Sequence, residues 1–568
     1  MWRMRVCVCL ALGGVVSAQN EMIPGKLVCE PPTLICLGIV WYIQGDENYN
    51  ATGEIAYRKA GEEAWHQGLP LLRVDPRNLY EGRKIEPALA GSLFDLEPGT
   101  EYEVRVKVSD PDGGTAEQTF RQRTRPVPET PRDARQVHVV PGDGGGTGTK
   151  EDPFKGLAAA ARAVRPGDLV LVHAGVYKCP VALRTNGEPG KPITYRGAGD
   201  GEAILEAAED ANVVEVYGTR HLIFEYLTVR NGLKGFQANG AEDLTVRRCR
   251  ILNCQFGVRS IDTNNPGKNF YIADNVIEFK AVWPRSKPDP RLEPGEEFGD
   301  SEGVEIVGSG HAVCYNRISN FDDCVSTRGP AYAIDFYNND LRMARDDALE
   351  LDYSTHNVRA FRNRITNCFM GISTQPLFGG PAYIIRNVMY NLGADASPLR
   401  LHNEPSGVII LHNTILKAGQ ALQSSGKGMR NVLMRNNLFF GRDRYSMEFC
   451  DARFDGNTDY DGFYKTEDPD RFVKWKNVKY RTLAELAAAT GNEKHGVLVG
   501  LDIFASAIGW PNPDDPVEPA DLRLRAGSAA VDAGTVLPNV NDRFRGRAPD
   551  LGAYEVGDDL PVYGPRPE

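Results

Sequence analysis

The N-terminal part of the chain alternates apolar and polar residues between about residues 26 and 125. In "YEVRVKV" every second residue is apolar, and the "DPDGG" that follows is a turn sequence. Such alternation predicts strands with one buried and one solvated face. The pattern therefore predicts a β domain over residues 26–125, and a stiff proline-rich linker follows over residues 126–136.

A longer repeat replaces the alternation in the rest of the chain. Two Asn residues flank a short stretch with a central apolar residue in "NRISN", "NRITN" and "NVMYN", and "CRILN" is a copy in which Cys replaces the first Asn. These copies start at Cys249, Asn316, Asn363 and Asn387, and weaker copies are anchored at Leu227, Asn275, Asn339, Asn413 and Asn436.

Successive copies lie 22 to 26 residues apart, apart from one longer gap. A repeat of this length made of short β segments is typical of a solenoid. We therefore predict an all-β chain with a right-handed parallel β-helix over residues 137–465 and a C-terminal cap over residues 466–568. Stacked Asn side chains are expected to form a hydrogen-bonded ladder at the turns.

The N-terminal domain resembles a fibronectin type III domain. The segment "LEPGTEY" at residues 96–102 matches the corner between strands E and F of that family, and Trp41 is a candidate core tryptophan. The resemblance implies a β-sandwich that serves as a spacer or a binding module.

The first 18 residues predict a secretory signal peptide. Arg3 and Arg5 precede an apolar run and Val16-Ser17-Ala18, which favours cleavage after Ala18 and a secreted or periplasmic protein. The apolar run is too short to span a bilayer, so no membrane insertion is expected. The net charge of -11 argues against a nucleic-acid partner.

The eleven cysteines do not predict a metal site, because no CxxC pair and no Cys/His cluster occurs. Cys29 and Cys36 flank "EPPTLI" and could close a disulfide loop in an oxidising compartment. Others, such as Cys249, Cys324 and Cys368, lie among apolar residues and are expected to be small buried side chains.

Two Asp-Asp doublets, in "FDDCVSTRG" and "RDDALELDY", lie 24 residues apart. In the register set by the Asn repeat, Asp322 falls one coil from Asp346, and Asp323 one coil from Asp347. Adjacent coils are about 4.8 Å apart, so two ionised carboxylates at this distance would repel each other. One of each pair is expected to keep its proton to a raised pH unless a cation bridges them.

Strand alternation extends the acidic column. Leu349 and Leu351 should point into the coil, so Glu350 and Asp352 should point outward. The same alternation on neighbouring coils places further polar residues on this face, which we predict to bind substrate: Glu305, Arg328, Gln375, Arg400 and His402.

The predicted spacing suits a glycoside hydrolase. Glu350 and Asp352 should lie about 6.5–7 Å apart, and Glu305 should lie about 9.6 Å from Glu350. Carboxyl separations of about 6.5–9.5 Å leave room for the attacking water of an inverting glycosidase. We therefore predict Glu350 and Asp352 as the first catalytic candidates, supported by the two doublets, although an Asp at a coil turn also caps backbone amides.

The run Asp322-Asp323-Cys324-Val325 resembles the Asp-Asp-Cys motif of the polygalacturonase (pectinase) family of inverting hydrolases. That family builds its site from Asp residues on adjacent coils, which implies Asp322 and Asp323 as acid/base residues here. Its Gly-His-Gly and Arg-Ile-Lys motifs are absent where the register would place them, so the resemblance does not imply pectin as the substrate.

Two other functions stay open. A calcium-assisted polysaccharide lyase could hold Ca²⁺ with Glu302, Glu305, Asp347 and Glu350 and use Arg328 or Arg400 as the base. A non-catalytic carbohydrate-binding or surface protein is the third possibility. The hydrolase needs no metal or cofactor, and in each case the expected partner is an extracellular polysaccharide or oligosaccharide bound by a monomer.

The longer gap in the repeat contains "AVWPRSKPDPRLEPGEEFGD", a proline-rich insertion over Ala281–Asp300. We predict that this insertion overhangs the acidic face and shapes a cleft, with Trp283 as a candidate platform for sugar stacking.

Overall fold

The computed structural model describes residues 20–567 except for residues 78, 297–298, 425–427, 443–444, 450–455 and 467. The predicted signal peptide lies outside the described residues. The described chain is all-β, with two short α-helices, α1 (Leu157–Ala161) and α2 (Leu483–Thr490). Three short 3-10 helices span Tyr80–Gly82, Pro469–Arg471 and Leu501–Ile503. No described helix is long and apolar enough to cross a membrane.

The N-terminal domain consists of two antiparallel four-stranded sheets, in the orders β1-β2-β6-β5 and β4-β3-β7-β8. Trp41 is fully buried in the core between them. Two packed sheets agree with the predicted sandwich, while the fibronectin type III assignment itself stays a prediction. The strands are β1 (Ile23–Cys29), β2 (Leu37–Gln44), β3 (Thr52–Lys59), β4 (His66–Gln67), β5 (Leu72–Val74), β6 (Ala88–Leu93), β7 (Glu101–Ser109) and β8 (Thr115–Arg123).

The remaining strands build the solenoid. Those before the insertion are β9 (Gln136–Val140), β10 (Phe154–Lys155), β11 (Leu169–Val172), β12 (Gly175–Lys178), β13 (Val181–Ala182), β14 (Ile193–Gly197), β15 (Ala203–Glu206), β16 (Val214–Glu215), β17 (Arg220–Glu225), β18 (Thr228–Arg230), β19 (Lys234–Gln237), β20 (Glu242–Arg247), β21 (Arg250–Leu252), β22 (Phe256–Ser260), β23 (Gly267–Lys268), β24 (Tyr271–Ala273) and β25 (Val276–Glu278).

Those after the insertion are β26 (Glu302–Ser309), β27 (Ala312–Cys314), β28 (Arg317–Ser319), β29 (Asp323–Tyr332), β30 (Ile334–Tyr337), β31 (Asp340–Arg342), β32 (Asp347–Glu350), β33 (Val358–Phe361), β34 (Arg364–Cys368), β35 (Met370–Ser373), β36 (Ala382–Ile385), β37 (Val388–Leu392), β38 (Leu399–Arg400), β39 (Val408–Leu411), β40 (Thr414–Lys417), β41 (Gln423–Ser424), β42 (Val432–Arg435), β43 (Leu438–Gly441), β44 (Met447–Phe449), β45 (Gly456–Asp459), β46 (Gly462–Tyr464), β47 (Val473–Trp475), β48 (Val478–Tyr480) and β49 (Val497–Val499).

These strands confirm the predicted parallel β-helix, which has about 12 turns. Sheet 1 runs β12-β15-β18-β21-β25-β28-β31-β34-β37-β40-β43-β46-β49, and sheet 2 contains β11, β14, β17, β20, β24, β27, β30, β33, β36, β39, β42 and β45. Sheet 3 contains β13, β16, β19, β22, β26, β29, β32, β35 and β38, which pair in that order. Strand β49 lies in the segment predicted as the cap, yet it still pairs with β46 of sheet 1.

The predicted Asn ladder is present. Each amide donates a hydrogen bond of 2.9–3.1 Å to the side-chain oxygen of the next coil. The ladder consists of Asn275, Asn316, Asn339, Asn363, Asn387, Asn413, Asn437 and finally Asp461. The predicted anchor Asn436 is one residue off, because its side chain instead bonds the backbone of Thr535 in the tail.

Two sheets of the β-helix are covered by other parts of the chain. The sandwich packs on sheet 2, where Arg359, fully buried in an ion pair with Asp335 of the same sheet, donates from Nη1 to Ser92 Oγ at 3.0 Å. The C-terminal tail packs its apolar residues on the last strands of sheet 1. On sheet 3, by contrast, the side chain of Arg328 is 51% exposed, and Asp323, Glu350 and Arg400 are partly exposed.

The predicted disulfide is not formed. Cys29 is an exposed free thiol on β1, whereas Cys36 is buried in the apolar cluster between the sandwich and the β-helix. The two side chains therefore belong to different environments. The prediction for the other cysteines is confirmed, since Cys249, Cys324 and Cys368 are buried in the solenoid core.

Removing one rung of the ladder should destabilise the fold. Asn363 accepts from the backbone and side chain of Asn339 and donates to Asn387 and to Phe336 O. Asn363→Ala leaves these buried groups without partners, so we expect the free energy of unfolding to fall by about 3 kcal/mol or more. Guanidinium unfolding measures the loss. The exposed control Asn264→Ala should change it by about 0.5 kcal/mol at most, and equal losses in both variants would contradict the ladder's role.

The last rung should make stability depend on pH. Burial raises the pKa of Asp461 to about 7 and that of its neighbour Glu493 well above its usual range. The folded chain therefore holds protons that the unfolded chain releases above about pH 4, so this contribution to stability is lost as pH rises from about 5 through 8.

We expect Glu493→Gln to lose less stability than the wild type between pH 5 and 8.5, by about 1 kcal/mol or more. Unfolding at both pH values, with the exposed control Glu62→Gln, measures the difference. If the wild type gains stability relative to Glu493→Gln as the pH rises from 5 to 8.5, the raised pKa values of Asp461 and Glu493 would be contradicted.

Candidate active site

Six residues on consecutive coils line up across sheet 3. The strand register pairs Arg259 with Glu305, and each following pairing adds one residue to the column: Ser326, Glu350, Ser373 and Arg400. This is the register predicted from the repeat for the residues from Glu305 to Arg400. The column places acidic side chains at its centre and an arginine at each end.

A second column confirms that the Asp doublets are stacked neighbours. Glu302 pairs with Asp323, and the backbone N–H of Asp347 donates to Asp323 Oδ1 at 2.8 Å. The N–H of Asp346 donates to the carbonyl of Asp322 at 2.8 Å. Coil stacking therefore brings two acidic columns side by side.

Three carboxylates converge where the columns meet. Oxygen atoms of Asp323, Asp347 and Glu350 all lie within 4.8 Å of one another. Leu349 and Leu351 point into the core as predicted, which turns the side chain of Glu350 outward. Asp347 is fully buried and its Oδ1 has no hydrogen-bond partner among the described residues.

Burial and mutual repulsion raise the pKa values of this cluster. Burial raises the pKa of Asp347 to about 8 and the pKa of Glu302 to about 8, and the charges of neighbouring carboxylates add to both shifts. For the same two reasons the pKa values of Asp323 and Glu350 lie well above their usual range. The cluster therefore favours a bound proton or another positive charge.

Arginines flank the cluster but do not neutralise it. Arg400 Nη1 lies 2.7 Å from Asp347 Oδ2, and Arg328 bridges Glu302 at 2.9 Å and Glu305 at 2.8 Å. The face carries more acids than bases, with Glu302, Glu305, Asp323, Asp346, Asp347, Glu350 and Asp352 beside Arg259, Arg285, Arg328 and Arg400.

Asp352 lies at the edge of this cluster. Its Oδ1 accepts hydrogen bonds from Ser373 Oγ at 2.8 Å and from the backbone N–H of Gln375 at 2.6 Å. Burial raises the pKa of Asp352 to about 7 despite these bonds. Gln375 thus contacts the site through its backbone, while its buried side-chain Oε1 has no hydrogen-bond partner in the described part of the chain.

Asp322 is held by the insertion instead of joining the cluster. Its carboxylate lies 3.0 Å from Arg291 Nη1 and accepts a 2.5 Å hydrogen bond from Ser301 Oγ. Arg291 in turn binds Asp289 at 2.6 Å. The sequence pattern alone treated both residues of the doublet alike, because the partners of Asp322 lie in a segment outside the repeat.

The insertion borders the acidic face, as predicted. Arg285 Nη1 lies 3.4 Å from Asp346 Oδ1, and Arg345 anchors the loop by donating to Val282 O at 3.0 Å. Trp283 is only 7% exposed, so its ring is not an open stacking platform in this structure.

His402 is the histidine of the predicted set. It follows the column residue Arg400 and is partly buried. Burial and the nearby charge of Arg400 lower its pKa below the usual value, so the imidazole is neutral near neutral pH. It is therefore suited to accept a proton.

Sequence reasoning missed several residues of the site. Arg259, which lies 2.5 Å from Glu305, precedes the insertion, and the long gap hid its register. Ser326 donates to Glu302 and Ser373 to Asp352, and both hydroxyls orient carboxylates. Strand alternation does place both serines on the outer face, but their role in orienting carboxylates does not follow from the register.

Comparison with known proteins gives distant relatives. No family model matches the chain. The chain is 20% identical over 437 residues to the uncharacterised protein YwoF of Bacillus subtilis (strain 168), covering 66% of this chain and 89% of that protein. It is 22% identical over 446 residues to pectate lyase L of Dickeya chrysanthemi, covering 74% of this chain and 90% of that protein.

Among solved structures, the catalytic domain of a GH87 α-1,3-glucanase in complex with nigerose aligns with 87% of this chain and 94% of its own. The sequence identity is 12% and the TM-score is 0.37.

Proposed function

We propose that this protein is an extracellular polysaccharide lyase that binds a divalent cation, with Ca²⁺ as the best fit, and cleaves a uronate-containing chain. The observation that carries the proposal is the convergence of Asp323, Asp347 and Glu350 on sheet 3, within 4.8 Å of one another, with Asp323 and Glu350 partly exposed.

The donor set fits a hard cation. All three side chains offer carboxylate oxygens, which Ca²⁺ prefers, and no nitrogen or sulfur donor belongs to the group. The buried Asp347 Oδ1 lacks a hydrogen-bond partner among the described residues, so it is available as a ligand. A cation would also replace the protons that the raised pKa values otherwise keep in the cluster.

When bound, the cation would neutralise the carboxylate of a uronate and acidify the proton on its C5. Arg328, which is half exposed, is placed to bind a second sugar carboxylate. Arg400 holds Asp347 in position through their 2.7 Å contact. In the elimination, a base takes the C5 proton, a C4–C5 double bond forms, and the C4–O bond breaks with its electrons leaving on oxygen.

His402, whose imidazole lies close enough to Arg400 to be affected by its charge, is our candidate proton acceptor. Arg328 and Arg400 are the bases expected from the sequence. Burial lowers the pKa of each guanidinium, but the neighbouring carboxylates raise it by more, so the net shift is upward and both side chains stay charged. The pKa of His402 is shifted downward by burial and by Arg400, which leaves the neutral form that can take up a proton.

The distant similarity to pectate lyase L supports this reading, because it extends over 74% of the chain and 90% of that protein. At 22% identity it supports an activity of the same class and leaves the sugar open.

The glycoside hydrolase expected from the sequence is the second candidate. The observation in its favour is that burial raises the pKa of Asp352 to about 7 and that of Glu302 to about 8. A carboxyl group that is still protonated near neutral pH can donate to a leaving oxygen.

Calcium binding should stabilise the protein. At 100 times its dissociation constant, Ca²⁺ should add about 2.7 kcal/mol to the free energy of unfolding. We expect Asp347→Asn and Glu350→Gln to abolish this gain, while the matched control Asp322→Asn keeps it because Asp322 faces the insertion. Thermal unfolding with Ca²⁺ or with EDTA measures the effect. A wild type that does not respond, or a response that survives in both site variants, would argue against the cation site.

The reaction products should identify the activity. On a panel of uronate-containing and neutral polysaccharides we expect new ultraviolet-absorbing, unsaturated ends that require Ca²⁺ and disappear with EDTA. His402→Ala should lower the rate about 100-fold or more, whereas the surface variant His495→Ala should not change it. New reducing ends without unsaturation would establish the hydrolase instead, and binding without products would leave a carbohydrate-binding protein.

A further inference from the structure

An exposed aromatic side chain borders the acidic face and has no part in the proposed reaction. Tyr353 directly follows Asp352 and is 43% exposed, in a fold where large apolar side chains are mostly buried. It lies between the end of β32 on sheet 3 and the start of β33 on sheet 2, at the corner where the acidic face meets the sheet that carries the sandwich.

The next coil fixes this corner. The backbone N–H of Tyr353 donates to Pro376 O at 2.8 Å, and the ring of Phe378 lies 6.3 Å from the ring of Tyr353. Phe378 is buried, whereas the neighbouring Tyr353 is 43% exposed.

A loop of the sandwich reaches the same corner. The guanidinium of Arg83 lies 5.4 Å from the centre of the Phe378 ring. Ile85 packs so closely on Gly379 that a Cβ there would meet its Cδ1 at 2.2 Å. Burial and then the carboxylates of Asp352 and Glu81 raise the pKa of Tyr353, as expected where the acidic face and the sandwich loop meet at one phenol.

We propose that Tyr353 is a sugar-stacking platform in a subsite whose second wall is the sandwich loop from Tyr80 to Arg83. A planar, exposed phenol next to the acidic face can pack against the apolar C–H face of a pyranose ring. The exposed Arg83 offers a cation for the carboxylate of that sugar. The proposal rests on the proposed function, since it places a further uronate residue of the same bound chain beside the cation site.

This subsite gives the N-terminal domain a direct role. The sandwich is docked on sheet 2 by buried polar contacts such as the 3.0 Å hydrogen bond from Arg359 Nη1 to Ser92 Oγ, so its loop has a fixed position beside Tyr353. The domain is then one wall of the substrate groove, which goes beyond the role of spacer.

The test uses the full chain in a His402→Ala background, which slows cleavage, and measures retardation in gels that contain polygalacturonate, alginate or a neutral glucan, with Ca²⁺ present. Tyr353→Ala and Arg83→Ala should each weaken binding about tenfold, which corresponds to the loss of one good contact. Tyr353→Phe should retain it, because the ring remains.

Two matched controls should bind as the parent does. Tyr226→Ala removes a tyrosine that is also 43% exposed, with φ of 55° against 57° for Tyr353, but on a turn between β17 and β18. Arg132→Ala removes an exposed arginine of the linker. Thermal unfolding of each variant verifies that it is folded.

Unchanged binding by Tyr353→Ala would overturn the subsite while leaving the lyase intact. Weaker binding by Tyr353→Ala in a protein that never yields unsaturated products would support the subsite and overturn the lyase. A parent protein that none of the polysaccharides retards would overturn both.

Discussion

Backbone hydrogen bonds fix the distance between neighbouring coils of a β-helix at about 4.8 Å, and the rest of this structure depends on that spacing. The Asn ladder holds the coils in one register from Asn275 to Asp461, with every rung buried. Residues that are 22 to 26 positions apart in sequence thereby become contacts. A site can therefore consist of single residues from successive coils, because the ladder holds those coils in register.

The same constraint creates an electrostatic conflict at the centre of sheet 3. Asp323 and Asp347 occupy neighbouring coils, and Glu350 joins them from the adjacent column. Their repulsion and burial leave the group short of positive charge, because Arg400 contacts the group at Asp347 alone while Arg328 bridges Glu302 and Glu305. A cluster of this kind favours the binding of a cation or a proton, and this is why the cluster, more than any single residue, indicates function.

Much of this arrangement could be read from the sequence. The repeat length gave the register, so the outward positions of Glu305, Glu350 and Arg400 and the stacking of the doublets were predicted correctly. Strand alternation separated Glu350 from Leu349 without any tertiary information. Periodicity succeeds here because a solenoid converts sequence separation directly into spatial proximity.

The failures lie where contacts leave the repeat. The partners of Asp322 are in the insertion, Asn436 faces the C-terminal tail, and Cys36 packs against another domain, so none of these contacts follows from the period. The contacts at Tyr353 could not be predicted from the period either, because they involve a loop of the sandwich that lies about 270 residues earlier in the chain. Long-range docking is the part of this fold that a one-dimensional pattern does not encode.

The most direct test of the central claim is an anomalous difference map from crystals grown with Ca²⁺. Cation binding by stacked carboxylates predicts a peak about 2.3–2.6 Å from oxygen atoms of Asp323, Asp347 and Glu350, and its loss in crystals of Asp347→Asn. A map without a peak there, in which those carboxyl groups bond directly to each other through shared protons, would contradict the account.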